Sequence, residues 1–169
     1  MMSDSILYSE KVTSKKTAYL FIALTLLFCI LLTWRVMASG LDFLAGLFLF
    51  LSCLFLFYVF NYRNLVIRLT AESLRLSFGI FSWAIPLDNI GECQLDDDLP
   101  VLMKYGGAGI HFMMVKGRYR ASFNFLEHPR VVIGLINKAG WVRDVSFSTC
   151  YPDEVIQRVQ AAISTNQPA

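Results

Sequence analysis

Chemistry needs particular side chains at particular spacings, and this chain offers few. Its two histidines are His111, within an alternating apolar run, and His128, next to Pro129; neither has a second histidine at ligand spacing. Asp96-Asp97-Asp98 sets three carboxylates in a row, but a calcium loop needs ligands spaced around a glycine turn, so a solvated acidic loop is expected. Tyr105 to Gly109 contains three glycines ahead of an extended run rather than a helix. It lacks the helix dipole that phosphate-cradling loops exploit, and turn or bulge geometry is the expected use. Four cysteines, Cys29, Cys53, Cys93 and Cys150, form no C-x-x-C pair and read as small hydrophobes rather than a disulfide framework or zinc site. Nucleophile-elbow, zincin, Walker and dinucleotide motifs are absent. No catalytic, cofactor-binding or metal-ligating residue is therefore named, no cofactor or small-molecule substrate is expected, and a non-enzymatic role is.

One cationic cluster stands out: Lys116, Arg118 and Arg120 around the Lys116-Gly117 turn. Near an anionic leaflet each such residue contributes about 1 kcal/mol, so contact with lipid headgroups or an acidic partner is one reading and a solvated charged hairpin the other. A formal charge of +2 implies no nucleic-acid partner.

The elements that carry these residues are legible from hydrophobic pattern. Apolar residues make up 56% of the 169, above the ~45–50% of soluble chains, and the surplus lies between Thr17 and Tyr62. Thr17 to Trp34 is an uncharged run of 18 residues and Phe43 to Tyr62 one of 20. Both approach the ~20 residues a helix needs to cross ~30 Å of hydrocarbon. The six Leu, six Phe and Val59 of the second run favour insertion by roughly 4–8 kcal/mol. Ser39-Gly40 supplies the turn of a tight hairpin, with helices expected at about 17–36 and 42–62. Val36-Met37-Ala38 resembles a signal-cleavage site, but the first run is longer than a signal core.

Lys11, Lys15 and Lys16 before the first run and Arg63, Arg68 and Arg75 after the second outweigh Arg35 between them. By the positive-inside rule both termini are cytoplasmic. Lys15, Lys16, Tyr19, Tyr58, Tyr62 and Arg63 would anchor one interface and Trp34 the other. With no ionisable side chain at depth, the hairpin carries no ion or proton path of its own.

Beyond Tyr62 the pattern alternates as in half-buried strands. Seven are expected: Leu65 to Leu69, Leu74 to Ile80, Trp83 to Cys93 (an edge or bulge position because of Pro86), Ile110 to Val115, Tyr119 to Phe125, Val131 to Ile136 and Trp141 to Phe147. Pro152, Asp153 and Glu154 then open an amphipathic helix with Val155, Ile156, Val159, Ala162 and Ile163 on its apolar stripe. The expected divisions are a cytoplasmic segment at 1–16, a transmembrane hairpin at 17–62, a soluble domain at 63–163 and a flexible tail at 164–169, with residues 1–10 frayed likewise.

Leu69-Thr70, Leu74, Gly79, Ile85-Pro86-Leu87-Asp88-Asn89-Ile90, Tyr105 to Ile110, Val131 to Leu135 and the Pro152-Asp153-Glu154 helix start are similar to prokaryotic pleckstrin-homology-like proteins that carry a two-helix membrane anchor. The resemblance covers roughly residues 17–163. It implies about seven antiparallel strands in a bent barrel capped by a C-terminal helix, and a scaffold role through lipid or protein binding. Loops that bind headgroups in such domains are acidic here, with Glu72, Asp96, Asp97 and Asp98 against Lys104 and Lys138. The expected function is thus a membrane-anchored interaction module with a protein partner or a second copy of itself. The alternatives are an accessory subunit of a larger membrane enzyme or transport complex, and a module that binds anionic lipid.

Overall fold

The computed structural model describes residues 6–96 and 108–166. They divide into two compact units, a helical pair at 15–63 and a β unit formed by the remainder.

In the helical unit, α1 (Lys15–Ser39) and α2 (Phe43–Asn61) are long and apolar enough to cross a membrane. Few of their side chains are buried, the opposite of a soluble protein's core helix. Phe21, Phe28, Phe48, Phe55 and Tyr58 form the seam between them, with Phe28 stacked on Phe55 at 5.5 Å. The reversal is built from local chemistry. Gly40 adopts φ +74°, a region that costs other residues strain, and donates its N–H to the Val36 carbonyl. Asp42 caps α2 by accepting from the Ala45 N–H at 2.9 Å and pairs with Arg35. Arg35 and Asp42, which bound the two apolar runs in sequence, thus close the hairpin against each other.

The β unit has nine strands in two sheets. β1 (Ile6–Thr13), β2 (Asn64–Thr70), β3 (Ser73–Phe78) and β4 (Phe81–Pro86) form an antiparallel meander in chain order. β5 (Ile90–Leu95), β6 (Gly109–Val115), β7 (Arg118–Asn124), β8 (Arg130–Ala139) and β9 (Val142–Ser148) form the second sheet, in the order β5-β8-β9-β7-β6 with β7 and β9 parallel. Phe78 stands against Phe123 and Phe125, and Trp83 against Phe123, so the two sheets meet through aromatic rings. Helix α3 (Pro152–Asn166) buries Val155, Val159 and Ala162 and packs mainly on β5 and the short 3-10 turn at Leu87–Asn89.

Three expectations are corrected. The closed barrel of seven strands is two sheets of nine strands that share no ladder. One added strand comes from the Trp83 to Cys93 run, which Pro86 and the turn after it divide into β4 and β5, one on each sheet. The other is β1, where a frayed end was expected. Glu10 faces inward and Val12 is fully buried, and the strand pairs with β2 from Ile6↔Thr70 to Thr13↔Asn64. The helical pair is therefore inserted between two paired strands, and the chain leaves and re-enters the β unit at the Thr13–Asn64 pair. At the other end, Ser164 to Asn166, expected in a tail, belong to α3.

Candidate functional site

The Lys116-Gly117 turn forms as its residue types require, with φ of +49° and +76° at the two positions, the left-handed pair of a tight two-residue hairpin. From it β7 carries Arg118, Arg120, Ser122 and Asn124 onto one face of the second sheet, while Ala121 and Phe123 point to the core. The face with the arginines is itself buried. Arg120 donates to Asp96 at 2.7 Å; Arg118, half-exposed, reaches Asp144 at 2.9 Å and Glu92 at 3.8 Å. Ser122 and Ser146 share a hydrogen bond at 2.7 Å beside them, and Arg130 is buried on the neighbouring strand.

Of the expected cationic cluster, then, Lys116 is exposed, Arg118 is turned onto carboxylates and Arg120 lies inside the fold. Asp96 is a buried counter-ion, not a residue of a solvated loop, because it sits at the end of β5, beside Arg120. Asp97, Asp98, Lys104 and Tyr105 to Gly107 lie outside the described residues.

This polar layer holds three guanidinium groups (Arg118, Arg120, Arg130) against three carboxylates (Glu92, Asp96, Asp144). The cavity lined by Arg118, Arg120, Glu92 and Asp144 measures about 80 Å³, well under the roughly 300 Å³ at which small-molecule sites begin. His111 is on the same face; burial, and then the charge of Arg130, lowers its pKa and favours the neutral imidazole. The layer has the balance of a structural charge network rather than the surplus of an ion-binding site.

A second polar cluster explains why β1 is ordered. Glu10 is buried and accepts from Tyr8 Oη at 2.9 Å, Thr149 Oγ1 at 2.5 Å and the Cys150 backbone N–H at 2.7 Å. His128 Nε2 lies 2.9 Å from the Thr13 carbonyl, which can only accept, so that nitrogen donates, and Nδ1 stands 3.8 Å from Cys150 Sγ. A thiol facing an imidazole held by a third group is an arrangement that nucleophilic catalysis uses. Here burial, and then the Glu10 carboxylate, raise the Cys150 pKa, the reverse of activation. Burial pushes the Cys93 thiol up to about 12. No group of three or more His, Cys, Asp or Glu among the described residues is placed to hold a metal.

The remaining candidates are on the surface. β6 is an edge strand with no charged residue and no proline in Gly109 to Val115, and it leaves Phe112 65% and Met114 53% exposed. Beside it, Tyr119 and Trp141 approach to 6.3 Å between ring centres and, with Gly117, Lys138 and Arg143, line an open cleft of about 380 Å³. Sequence reading missed both, although the uncharged run of β6 was a usable signal.

Among the expected interface anchors, Lys15 and Lys16 open α1, Tyr19 and Trp34 are exposed, and Arg63 is exposed just past the end of α2. Tyr58 lies in the seam between the helices, and Tyr62 is buried with its ring 5.1 Å from Tyr58 and 6.2 Å from Phe21. Comparison of the chain with protein-family models, with curated proteins and with solved structures finds no match.

Proposed function

We propose that this chain is a non-enzymatic interaction module held at the cytoplasmic face of a membrane by α1 and α2, and that its β unit receives partner proteins by strand addition along β6. The observation that carries the reading is the β6 edge itself. Folded proteins normally protect a sheet edge with charge, proline, a bulge or a covering element. The opposite edge of the same sheet, β5, has α3 packed on it, whereas β6 offers seven uncharged residues and two exposed apolar side chains. An added strand gains main-chain hydrogen bonds from such an edge and specificity from alternate side chains such as Phe112 and Met114. The connections support anchoring, since Ser14 alone separates β1 from α1, and Tyr62 and Arg63 alone separate α2 from β2. A tether this short keeps whatever the β unit binds close to the bilayer.

A pleckstrin-homology-like assignment is part of this proposal. Two packed sheets followed by one amphipathic helix support it; the nine strands and the parallel β7–β9 pair depart from the seven antiparallel strands that the resemblance implies.

The test is purification of the full chain from its native membrane in mild detergent, beside the Phe112→Lys/Met114→Lys variant. A stoichiometric partner that the parent retains and the variant loses supports strand addition. Retention by both, or a parent that emerges alone, removes it. Exchange of residues 15–63 for an unrelated hairpin separates the second reading: if the partner is lost only then, the helices make the contact and the chain is an accessory subunit of a larger membrane complex.

A further inference from the structure

We infer that the outer face of the first sheet is a docking surface for an acidic segment of a partner protein. The pairing of β1, β2 and β3 gathers three cations there, although the whole helical pair separates Lys11 from the other two in sequence. Arg68 on β2 stands directly opposite Arg75 on β3, and Lys11 on β1 is two residues on from Ser9, which pairs with Arg68 across the β1–β2 ladder. Strand alternation fixes the face: Lys11, Arg68 and Arg75 are exposed, while Val12, Ile67, Leu69, Leu74 and Leu76 beside them are buried. Residues directly opposite have Cβ atoms about 5 Å apart and diagonal neighbours under about 8 Å, so the three charges form one cluster. A topology signal needs only the place of such residues in the sequence, not a shared face.

Nothing on this face neutralises them. From Ser9 onward its other positions are Ser, Thr, Asn, Val, Ala and Pro, with no Asp or Glu. Glu10, next to Lys11 in sequence, points into the fold, and Glu72 lies in the turn between β2 and β3. Among the described residues Lys11, Arg68 and Arg75 have no ion-pair partner, whereas Arg118 and Arg120 of the second sheet are held by carboxylates. Like charges directly opposite on a sheet destabilise it. A hydroxyl residue at either position would relieve the repulsion, as in the Ser77–Ser82 pair of β3 with β4, whose side chains share a hydrogen bond at 2.9 Å. Two guanidinium forks side by side suit carboxylates, each of which can accept a pair of parallel N–H bonds.

The occupant follows from what accompanies the charge. A nucleic acid needs aromatic rings on which to stack its bases, and an interfacial lipid site inserts several large apolar side chains. This face exposes no aromatic ring, and among the described residues Ile6, at its corner beyond the β1 irregularity, is its one large apolar side chain open to water. Cations and hydroxyls on an open sheet complement the carboxylates and main chain of an acidic protein segment. The surface belongs to a different sheet from β6 and does not depend on strand addition there.

The experiment titrates a fluorescently labelled oligoglutamate peptide, and an oligoglutamine of the same length, against the full chain in uncharged detergent, with anisotropy as the readout. The parent should bind oligoglutamate alone, and less tightly as salt rises. Arg68→Gln/Arg75→Gln should weaken binding about tenfold, the effect of two exposed ion pairs, while Lys138→Gln/Arg143→Gln, which removes the same charge from the second sheet, should leave it unchanged. Arg75→Glu sets opposite charges across the β2–β3 ladder, so it should melt above the parent and still lose the peptide. No binding by the parent, binding that survives in the arginine variants, or equal loss in the second-sheet variant overturns the inference. So does tighter binding of oligouridylate or of soluble short-chain phosphatidylglycerol through the same arginines, which gives the face to a nucleic acid or a lipid. A melting temperature lowered by Arg75→Glu would show that the arginines serve the sheet itself, and that too overturns it. None of these outcomes touches the β6 edge, whose test is the Phe112→Lys/Met114→Lys variant.

Discussion

Leucine and phenylalanine occupy opposite environments in the two units. In α1 and α2, Leu26, Leu49, Phe50 and Phe60 are exposed, while in the β unit Leu65, Leu74, Leu76, Phe78 and Phe147 have no accessible surface. The residue types are the same, and what differs is the solvent each is suited to. A β unit in water must turn its apolar side chains inward, because burial of one such side chain is worth about 1.5–3 kcal/mol. Helices that lie in hydrocarbon would have no such drive, and the apolar outer faces of α1 and α2 suit that setting, where contact between helices depends on packing. The units differ in a second way. The β unit buries Arg120, Asp96, Asp144 and Glu10, whereas the helical pair keeps its one described ion pair, Arg35 with Asp42, at the turn. Buried charge survives only where other elements supply a partner, which the two sheets provide and two apolar helices do not.

This contrast can be broken in graded steps, each read by unfolding the purified chain in detergent and following Trp83 emission in a Trp34→Phe/Trp141→Phe background. Arg120→Ala should cost the β unit about 3–5 kcal/mol, because Asp96 would be left charged and buried; a loss under 1 kcal/mol would show that water reaches Asp96. Leu76→Ala should cost about 2–5 kcal/mol, but the same change at the exposed Leu26 should leave β-unit stability within ~0.5 kcal/mol. Equal losses at the two positions would erase the distinction between the units. Glu10→Ala should cost about 1–3 kcal/mol by leaving the Thr149 hydroxyl and Cys150 N–H without their acceptor. It should also speed amide hydrogen exchange along β1 before β2, and uniform exchange would show that Glu10 does not hold the strand.

The smallest effect is a pH dependence. The folded pKa of His111 is lowered by burial and by Arg130, so the unfolded state takes up its proton at a higher pH than the folded state does. The stability associated with the neutral ring is complete above the unfolded value of about 6.5 and falls as pH drops from there toward the folded value. The melting temperature of the parent should decline over that window more than that of His111→Gln. Parallel declines would assign the effect to other groups.

How much was legible in advance follows from the range of each interaction. Two apolar runs of spanning length, a turn at Ser39-Gly40, strand alternation after Tyr62 and the helix opened by Pro152 are written in neighbouring residues, and their positions hold in the structure to within a few residues. The placement of β1 was not, since eight residues that alternate only in their second half show no partner, and Ile6–Thr13 finds one at 64–70, across the whole helical pair. The cationic hairpin was legible as a turn but not as a site, because the counter-ions that take Arg118 and Arg120 out of circulation stand on β5 and β9.

By itself, then, the sequence determined where the chain is helical or extended, which stretch suits lipid and where it reverses, because periodicity, length and turn chemistry act over a few residues. Only the tertiary structure decided which charges are spent on each other and which remain at the surface. Asp96 meets Arg120 across 24 positions and Glu10 meets Thr149 across 139. Such pairings depend on strand order, and strand order is settled when the sheets assemble.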